Sequence, residues 1–182
     1  YAMSIRGIAR EFHHATGDAF TDPVSTVTPV VTDGFSVTVD DSAPIRGQVG
    51  CQVFIARSVM GIDATAPTPP FMVSRLALAG MRSISLPVDI TNYVMLEFGQ
   101  PIHGYDLDRL TGGITVRRAK KGEKLRTLDD QERTLDPEDL LITDESGPIG
   151  MAGVMGGATT ELDETSTNVL VEAAWFDPVS IA

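Results

Sequence analysis

Residues 168–176 read NVLVEAAWF, and this stretch decides the fold class. Its side chains are apolar on both alternating faces, with the single exception of the carboxylate at Glu172. A strand that is apolar on both faces must be covered on both sides, so this segment predicts the central strand of a sheet. Glu172 must then have a partner, because a buried carboxylate without one is costly.

Short strands separated by turns are predicted from residue 114 onward. ITVRR at 114–118 alternates, and KLRTL and ERTL flank Asp129-Asp130 as a predicted hairpin. DLLIT and PIGMA follow as two apolar strands separated by ESG. This half of the chain is therefore expected to be built mainly from sheets.

Two further strands are predicted nearer the start of the chain, at about residues 35–39 and 48–58. The first alternates Phe, Val and Val with Ser and Thr, as a half-buried strand does. In the second strand, one face is predicted to consist of Val49, Cys51, Val53 and Ile55.

Helices are predicted where capping residues enclose an apolar pattern. The first begins after a cap at Ser4 and ends at Gly17, with an apolar stripe between them. The second begins at Thr68, with Pro69 in its first turn, and ends at Gly80.

A third helix is predicted over about 88–98, with Gly99 as its terminator, and residues 176–182 (FDPVSIA) predict the start of another. Together these elements predict an α+β fold, a layered β/β/α sandwich with a few helices on one side. We expect two interleaved lobes, centred on about 1–80 and 110–182.

Composition excludes several functional classes. The 182 residues include 14 basic and 25 acidic side chains, a net charge of −11, which disfavours indiscriminate binding to nucleic-acid phosphates. One cysteine excludes an intramolecular disulfide and a cysteine-rich zinc site, and three histidines leave little material for a zinc enzyme. No apolar run approaches the roughly 20 residues of a membrane span.

The first candidate site lies in TNYVMLEFGQPIHGYD, residues 91–106. Thr91 and Asn92 are predicted near the start of a helix, and His103 follows a Gly-Gln-Pro turn on a loop edge. A hydroxyl, an amide and an imidazole could converge there on one polar ligand. Alternatively, Thr91 or Asn92 caps the helix and His103 is a satisfied turn residue.

The second candidate is the glycine-rich run MAGVMGG at 151–157. It lacks the Lys-Ser/Thr of a phosphate-binding loop and the spacing of a dinucleotide fingerprint. Glycines at Gly153 and Gly156 would allow a ligand to approach the backbone closely. The alternative is a glycine-rich bulge or turn with no ligand.

The third candidate is Glu172 itself, for which two interpretations are open. It is a structural salt bridge, with Arg117 or Arg118 as partner, or a polar determinant at the floor of an apolar pocket. Both interpretations would explain a carboxylate within an apolar strand.

Four stretches of this chain resemble the central editing domain of the bacterial phenylalanyl-tRNA synthetase β subunit. They are VDITNYVMLEFGQPIHGYDLDRL, VRRAKKGEKLRTLDDQERTLDPEDLLI, GVMGG and VLVEAAWFDPVSI. The resemblance covers the whole chain and is strongest over 87–182. It implies that residues 1–182 form a single editing domain, the third and fourth domains of that subunit, excised from a longer chain.

The resemblance also implies a hydrolytic site that removes tyrosine wrongly attached to the phenylalanine tRNA. It places Glu172 on the tyrosine hydroxyl and His103 near the ester and the terminal adenosine. The implied catalytic residues are His103, Thr91 and Asn92. The implied substrate-binding residues are Glu172, Gly153 and Gly156.

The partners implied by the resemblance are the acceptor end of tRNA(Phe), the tyrosine moiety and an α subunit in a cytoplasmic α2β2 tetramer. ATP and magnesium are implied for the full synthetase, with no cofactor in this domain. The alternative function is a non-catalytic module of the same synthetase, which positions tRNA or braces a subunit interface.

Overall fold

The computed structural model describes residues 2–26 and 34–182. In this part of the chain there are three α-helices and ten β-strands, which confirms the predicted α+β class. The helices are α1 (Ile5–Thr16), α2 (Pro70–Leu78) and α3 (Leu86–Phe98). The strands are β1 (Val37–Asp40), β2 (Cys51–Met60), β3 (Ile102–Asp106), β4 (Ile114–Arg118), β5 (Lys124–Arg126), β6 (Glu132–Thr134), β7 (Leu140–Asp144), β8 (Gly147–Met151), β9 (Met155–Gly156) and β10 (Asn168–Phe176).

The chain divides into two compact units, each assembled from two separate segments. The helical unit comprises residues 2–26 and 65–102, and the sheet unit comprises residues 34–64 and 103–182. The predicted lobes placed 34–64 with the N-terminal part. Those residues instead belong with the C-terminal part, because β2 pairs with β10 along its whole length.

The ends of α1 are set by the residues that the sequence predicts. The Ser4 hydroxyl accepts a hydrogen bond from the Gly7 amide at 3.0 Å, and Gly17 ends the helix in the left-handed region at φ 78°. The apolar stripe forms but is not buried, since more than half of each of its side chains is exposed: Ile5 61%, Ile8 55% and Phe12 57%.

Thr68 does not cap α2 as predicted. The cap position is Pro69, which has no side-chain oxygen, and the Thr68 hydroxyl donates to the Asp89 carboxylate at 2.6 Å. Gly80 follows the helix in the left-handed region, at φ 80°, as predicted for its end. α3 starts at Leu86, two residues earlier than predicted, and ends before Gly99 as predicted.

Asp89 organises the hydrogen bonding of the helical unit. Its carboxylate is fully buried and accepts from the hydroxyls of Thr68 and Ser83, both at 2.6 Å, and from the amide of Ile84 at 2.9 Å. Burial alone would raise the pKa of Asp89, but the three donors outweigh burial and lower it. The ionised carboxylate therefore ties the start of α3 to the loops before it.

The sheet unit contains three sheets. The largest has the strand order β1-β4-β7-β8-β9, the second has the order β2-β10-β3, and β5 pairs with β6. β10 is therefore a central strand, as NVLVEAAWF predicts. The predicted hairpin around Asp129-Asp130 is also present, with Asp130 at φ 64°. The core of this unit consists of Cys51, Tyr105, Ile114, Val116, Leu140, Ile142, Ile149, Ala152 and Leu170.

The predicted apolar face of the second strand is wrong except at Cys51, since Val49 lies before β2 and is 40% exposed. Trp175 pairs with Val53, but the next residue of β10 pairs with Cys51, so Gln52 is an extra residue in a β-bulge. The bulge reverses the alternation. Cys51 is buried, whereas Val53 and Ile55 are exposed and the residues between and after them, Phe54 and Ala56, pack against the core.

The helix predicted to start within residues 176–182 does not form in the structure. Residues 178–180 make a single turn, in which the Ser180 amide donates to the backbone and side-chain oxygens of Asp177, at 3.0 and 2.9 Å. This arrangement resembles the first turn of a helix, which explains why the sequence suggested one.

Replacing Asp89 should destabilise the chain strongly. Asp89→Ala removes the buried acceptor of three part-buried hydrogen bonds, so we expect a loss of about 1.5–3 kcal/mol in the free energy of unfolding. Urea unfolding followed by circular dichroism measures this loss. Asp18→Ala, at an exposed position of the same unit, is the control and should stay within about 0.5 kcal/mol of wild type.

Candidate functional site

Glu172 lies on the core face of β10 and has only 6% of its surface exposed. Its neighbour on that face, Leu170, is completely buried. The Tyr105 hydroxyl donates a hydrogen bond to Oε2 of Glu172. Burial raises the pKa of Glu172 to about 7, although the hydrogen bond from Tyr105 opposes the rise. The carboxyl group is therefore poised near neutral pH.

The salt-bridge interpretation of Glu172 is wrong. Arg117 pairs with Glu123 at 2.6 Å, and Arg118 pairs with Asp41 at 3.0 Å. Both guanidinium groups thus pair with other carboxylates, and no cation among the described residues contacts Glu172. A phenol, rather than an arginine, satisfies the buried acid.

Tyr105 is the site residue that sequence reasoning missed. It lies on β3, has 1% of its surface exposed, and burial followed by the negative charge of Glu172 raises its pKa well above the usual value. One signal was available in the sequence. His103 and Tyr105 are two residues apart in IHGYD, so both side chains point to one face of a strand.

His103 lies within β3, not on a loop edge as predicted. Its ring meets that of Tyr105 edge to face, with the centroids 4.6 Å apart and the planes at 81°. Burial lowers the pKa of His103 below its ordinary value, so its imidazole is neutral at pH 7. A neutral imidazole can accept a proton or orient a water molecule.

The glycine-rich run forms the tight turn between β8 and β9, as the turn interpretation predicts. Gly153 is in the turn at φ 69°, and a Cβ there would come within 2.9 Å of Ile181. Gly156 pairs with Gly150 across the hairpin. A Cβ on Gly156 would lie 2.8 Å from Cε1 and 2.9 Å from Nε2 of His103, so this glycine lets the imidazole pack on the strand.

Thr91 and Asn92 lie in the middle of α3, in the helical unit. Neither caps the helix, because α3 begins at Leu86 and the Thr91 hydroxyl donates to the carbonyl of Val88 at 2.8 Å. The cap interpretation is therefore wrong. The convergence of these two residues with His103 on one ligand stays a prediction.

Within the sheet unit the structure brings together a set of four residues that we call the acid cluster. Its chain of contacts runs from a carboxylate through a phenol to an imidazole resting on a glycine: Glu172, Tyr105, His103 and Gly156. Three of these residues are predicted site residues. The cluster offers a buried hydrogen-bond acceptor and a neutral base in one apolar setting.

The described residues show no arrangement suited to a metal ion. Within 2–26 and 34–182, no group of three or more His, Cys, Asp or Glu side chains could hold one. None of the helices in these same ranges is long and apolar enough to cross a membrane.

Comparison with known families gives one match that covers most of the chain. Residues 50–182 match the B3/4 domain. The chain belongs to the B3/4 domain family. All four residues of the acid cluster lie within the matched range, so the cluster is part of the B3/4 domain itself.

Curated relatives resemble this B3/4 domain over its whole length. It is 69% identical over 184 residues to the phenylalanine–tRNA ligase beta subunit of Leifsonia xyli subsp. xyli, covering 100% of this chain and 22% of that subunit. The corresponding subunit of Streptomyces avermitilis is 55% identical over 185 residues, again with 100% and 22% covered. The chain thus spans about a fifth of the length of these relatives.

A solved structure shares the fold at low sequence identity. It is an N-terminal fragment of the phenylalanyl-tRNA synthetase beta subunit from Pyrococcus horikoshii. The alignment gives a TM-score of 0.53 and 18% identity, and it covers 98% of this chain and 53% of that fragment. At this level of identity, the likeness supports the fold of this chain alone.

Glu172 should make the chain less stable as the pH rises. Its pKa is about 7 in the folded state and 4.5 ordinarily, so folding favours the protonated form. The contribution is fully favourable below pH 4.5 and is lost as the pH rises to 7. We expect the stability of wild type relative to Glu172→Gln to fall by about 3 kcal/mol across this interval. Urea unfolding of both proteins at pH 4.5–8 measures the difference, and parallel curves would contradict a raised pKa.

Proposed function

We propose that this chain is the post-transfer editing domain of a phenylalanyl-tRNA synthetase β subunit. In this role it hydrolyses the ester that joins tyrosine to a mischarged tRNA(Phe). Two observations support the proposal: the relatives that match the whole chain are phenylalanine–tRNA ligase beta subunits, and the acid cluster has the chemistry that such a site needs.

The observation that carries the proposal is the buried carboxylate of Glu172 with a phenol hydroxyl already bound to it. Tyrosine differs from phenylalanine by one hydroxyl, and a pocket that admits the larger tyrosine cannot exclude phenylalanine by size. A buried acceptor can discriminate, because phenylalanine would leave it desolvated and unpaired. Sites built to bind a substrate hydroxyl reach a selectivity of about 10⁴–10⁵. The Tyr105 contact supports Glu172 as a phenol acceptor.

The hydrolysis requires a water molecule that attacks the ester carbonyl. The bond from the carbonyl carbon to the tRNA ribose oxygen breaks, tyrosine leaves as the free acid, and the ribose oxygen takes up a proton. His103 is the residue that we assign to orient this water or accept its proton, because its imidazole is neutral. Backbone amides of the glycine hairpin, which includes Gly153 and Gly156, are the proposed donors to the developing oxyanion.

Thr91 and Asn92 enter the proposal through the sequence resemblance. On that ground alone we propose them as further catalytic residues of the same reaction. The acceptor end of tRNA(Phe) and a synthetase α subunit in an α2β2 tetramer are the proposed partners. ATP and magnesium serve the attachment reaction of the full enzyme, and the hydrolysis proposed here uses neither.

Glu172→Ala should abolish discrimination while leaving amino-acid attachment intact. A hydrogen bond to a charged acceptor is worth about 1.5–3 kcal/mol, so release of tyrosine should slow by roughly 10- to 150-fold. The experiment uses the α2β2 enzyme that contains this chain within its full-length β subunit. It measures release of tyrosine and phenylalanine from preformed Tyr-tRNA(Phe) and Phe-tRNA(Phe).

Glu164→Ala is the matched control, since Glu164 is an exposed glutamate of the same unit. This variant should release tyrosine at the wild-type rate. A wild-type enzyme that releases neither amino acid would favour the alternative, a module that positions tRNA or braces an interface. A folded Glu172→Ala enzyme that edits normally would remove Glu172 from the site.

The hairpin offers a second matched pair of variants. Gly156→Ala places a methyl group 2.8 Å from the His103 ring, which must move, whereas Gly150→Ala meets nothing closer than 3.6 Å. Displacing a catalytic group by a few tenths of an ångström or more should slow tyrosine release by about 10- to 100-fold in Gly156→Ala. Gly150→Ala should stay near wild type. Equal rates in the two variants would show that the position of His103 does not matter.

A further inference from the structure

We propose that Tyr105 is a positioning residue that sets amino-acid selectivity by holding Oε2 of Glu172, so that Oε1 is left for the incoming phenol. This inference rests on the proposed editing function and deepens it. It assigns a role to a side chain that neither the sequence motifs nor the family resemblance singled out.

The first support is the rigidity of the contact. Tyr105 and Glu172 lie on neighbouring strands, β3 and β10, of one sheet. The phenol is 1% exposed and packs edge to face with His103, so it has no alternative position without a cavity. A hydrogen bond from a fixed donor to one carboxylate oxygen restrains the position of that oxygen and limits rotation of the carboxylate.

The second support is the state of the other oxygen. Tyr105 donates to Oε2, and no described group donates to Oε1. Among residues 2–26 and 34–182, the fully enclosed side-chain oxygen or nitrogen that has no hydrogen bond is Oγ1 of Thr160. Oε1 is therefore not fully enclosed, and the small exposed fraction of Glu172 includes it. An ionised carboxylate has capacity for further donors on this oxygen.

The third support is electrostatic. Among the described residues, the titratable groups that interact with Glu172 are Tyr105 from β3, with His103 packed against Tyr105, and Cys51 from β2. Burial and then the charge of Glu172 raise the pKa of Cys51 to about 11, so the thiol is neutral at pH 7 and adds no charge near Glu172. Tyr105 is the donor that favours the ionised acid. Removing its hydroxyl should raise the pKa of Glu172 further.

Tyr105→Phe in the α2β2 enzyme tests this role, because it removes the hydroxyl and keeps the ring. The ratio of kcat/KM for release of tyrosine to that for release of phenylalanine should fall by about 10-fold. The pH at which tyrosine release is half-maximal should also move upward, because a less stabilised carboxylate ionises at higher pH. Tyr93→Phe, which removes a hydroxyl that contacts Arg75 in the helical unit, is the control and should change neither quantity.

A double-mutant cycle with Glu172→Gln decides whether Tyr105 acts through the acid. If it does, Tyr105→Phe should have little further effect in the Glu172→Gln background. Additive losses, or an unshifted pH profile and wild-type selectivity in Tyr105→Phe, would overturn the proposal. So would unfolding of Tyr105→Phe, which would make the hydroxyl a structural element. A wild-type enzyme that releases no tyrosine would instead refute the editing function on which the inference rests.

Discussion

The hydrogen bond from a buried phenol to a buried carboxylate is the interaction on which the candidate site in the sheet unit depends. Glu172 occupies the middle of a strand whose other core-facing residues are apolar, and Tyr105 is a member of that same core. Without the phenol, Glu172 would stay protonated to a higher pH, because an unpaired charge in an apolar setting is costly. The pair couples the order of the β2-β10-β3 sheet to the chemistry of the site, because each side chain holds the other in place.

Much of the fold follows from local signals that need no knowledge of distant contacts. Ser4 and Gly17 bound their helix as predicted, since capping involves neighbouring backbone groups alone. The central strand of the second sheet follows equally directly from its two apolar faces. The face of β2 could not be predicted, because the bulge at Gln52 is a property of its pairing with β10. Thr68 failed as a cap because a buried acid elsewhere in the helical unit, Asp89, competes for its hydroxyl.

The site was predictable in its residue types and unpredictable in its partners. A carboxylate within an apolar strand is recognisable in the sequence, so Glu172 could be predicted as a candidate site residue without the structure. Its partner could not be predicted, because an arginine is the more usual partner of a buried carboxylate and the sequence offers two, Arg117 and Arg118. Only the tertiary structure shows that both arginines pair with other acids. Tyr105 was overlooked since a tyrosine in a strand is ordinarily a packing residue. Residue types can be read from the sequence, whereas the pairing of two polar side chains depends on which strands become neighbours in the folded chain.

The interleaving of the two units has a consequence for how the chain acquires its structure. β2 finds its partner β10 more than a hundred residues later, and a complete helical segment, residues 65–102, is made in between. At a synthesis rate of about 5–20 residues per second, several seconds pass before β10 has been made, and β2 lacks this partner until then. Contacts so distant in sequence slow folding, because the chain between them must first be closed into a loop. During this interval β2 carries the charged residue Arg57 near its middle. A charge on an unpaired strand opposes association of that strand with other chains.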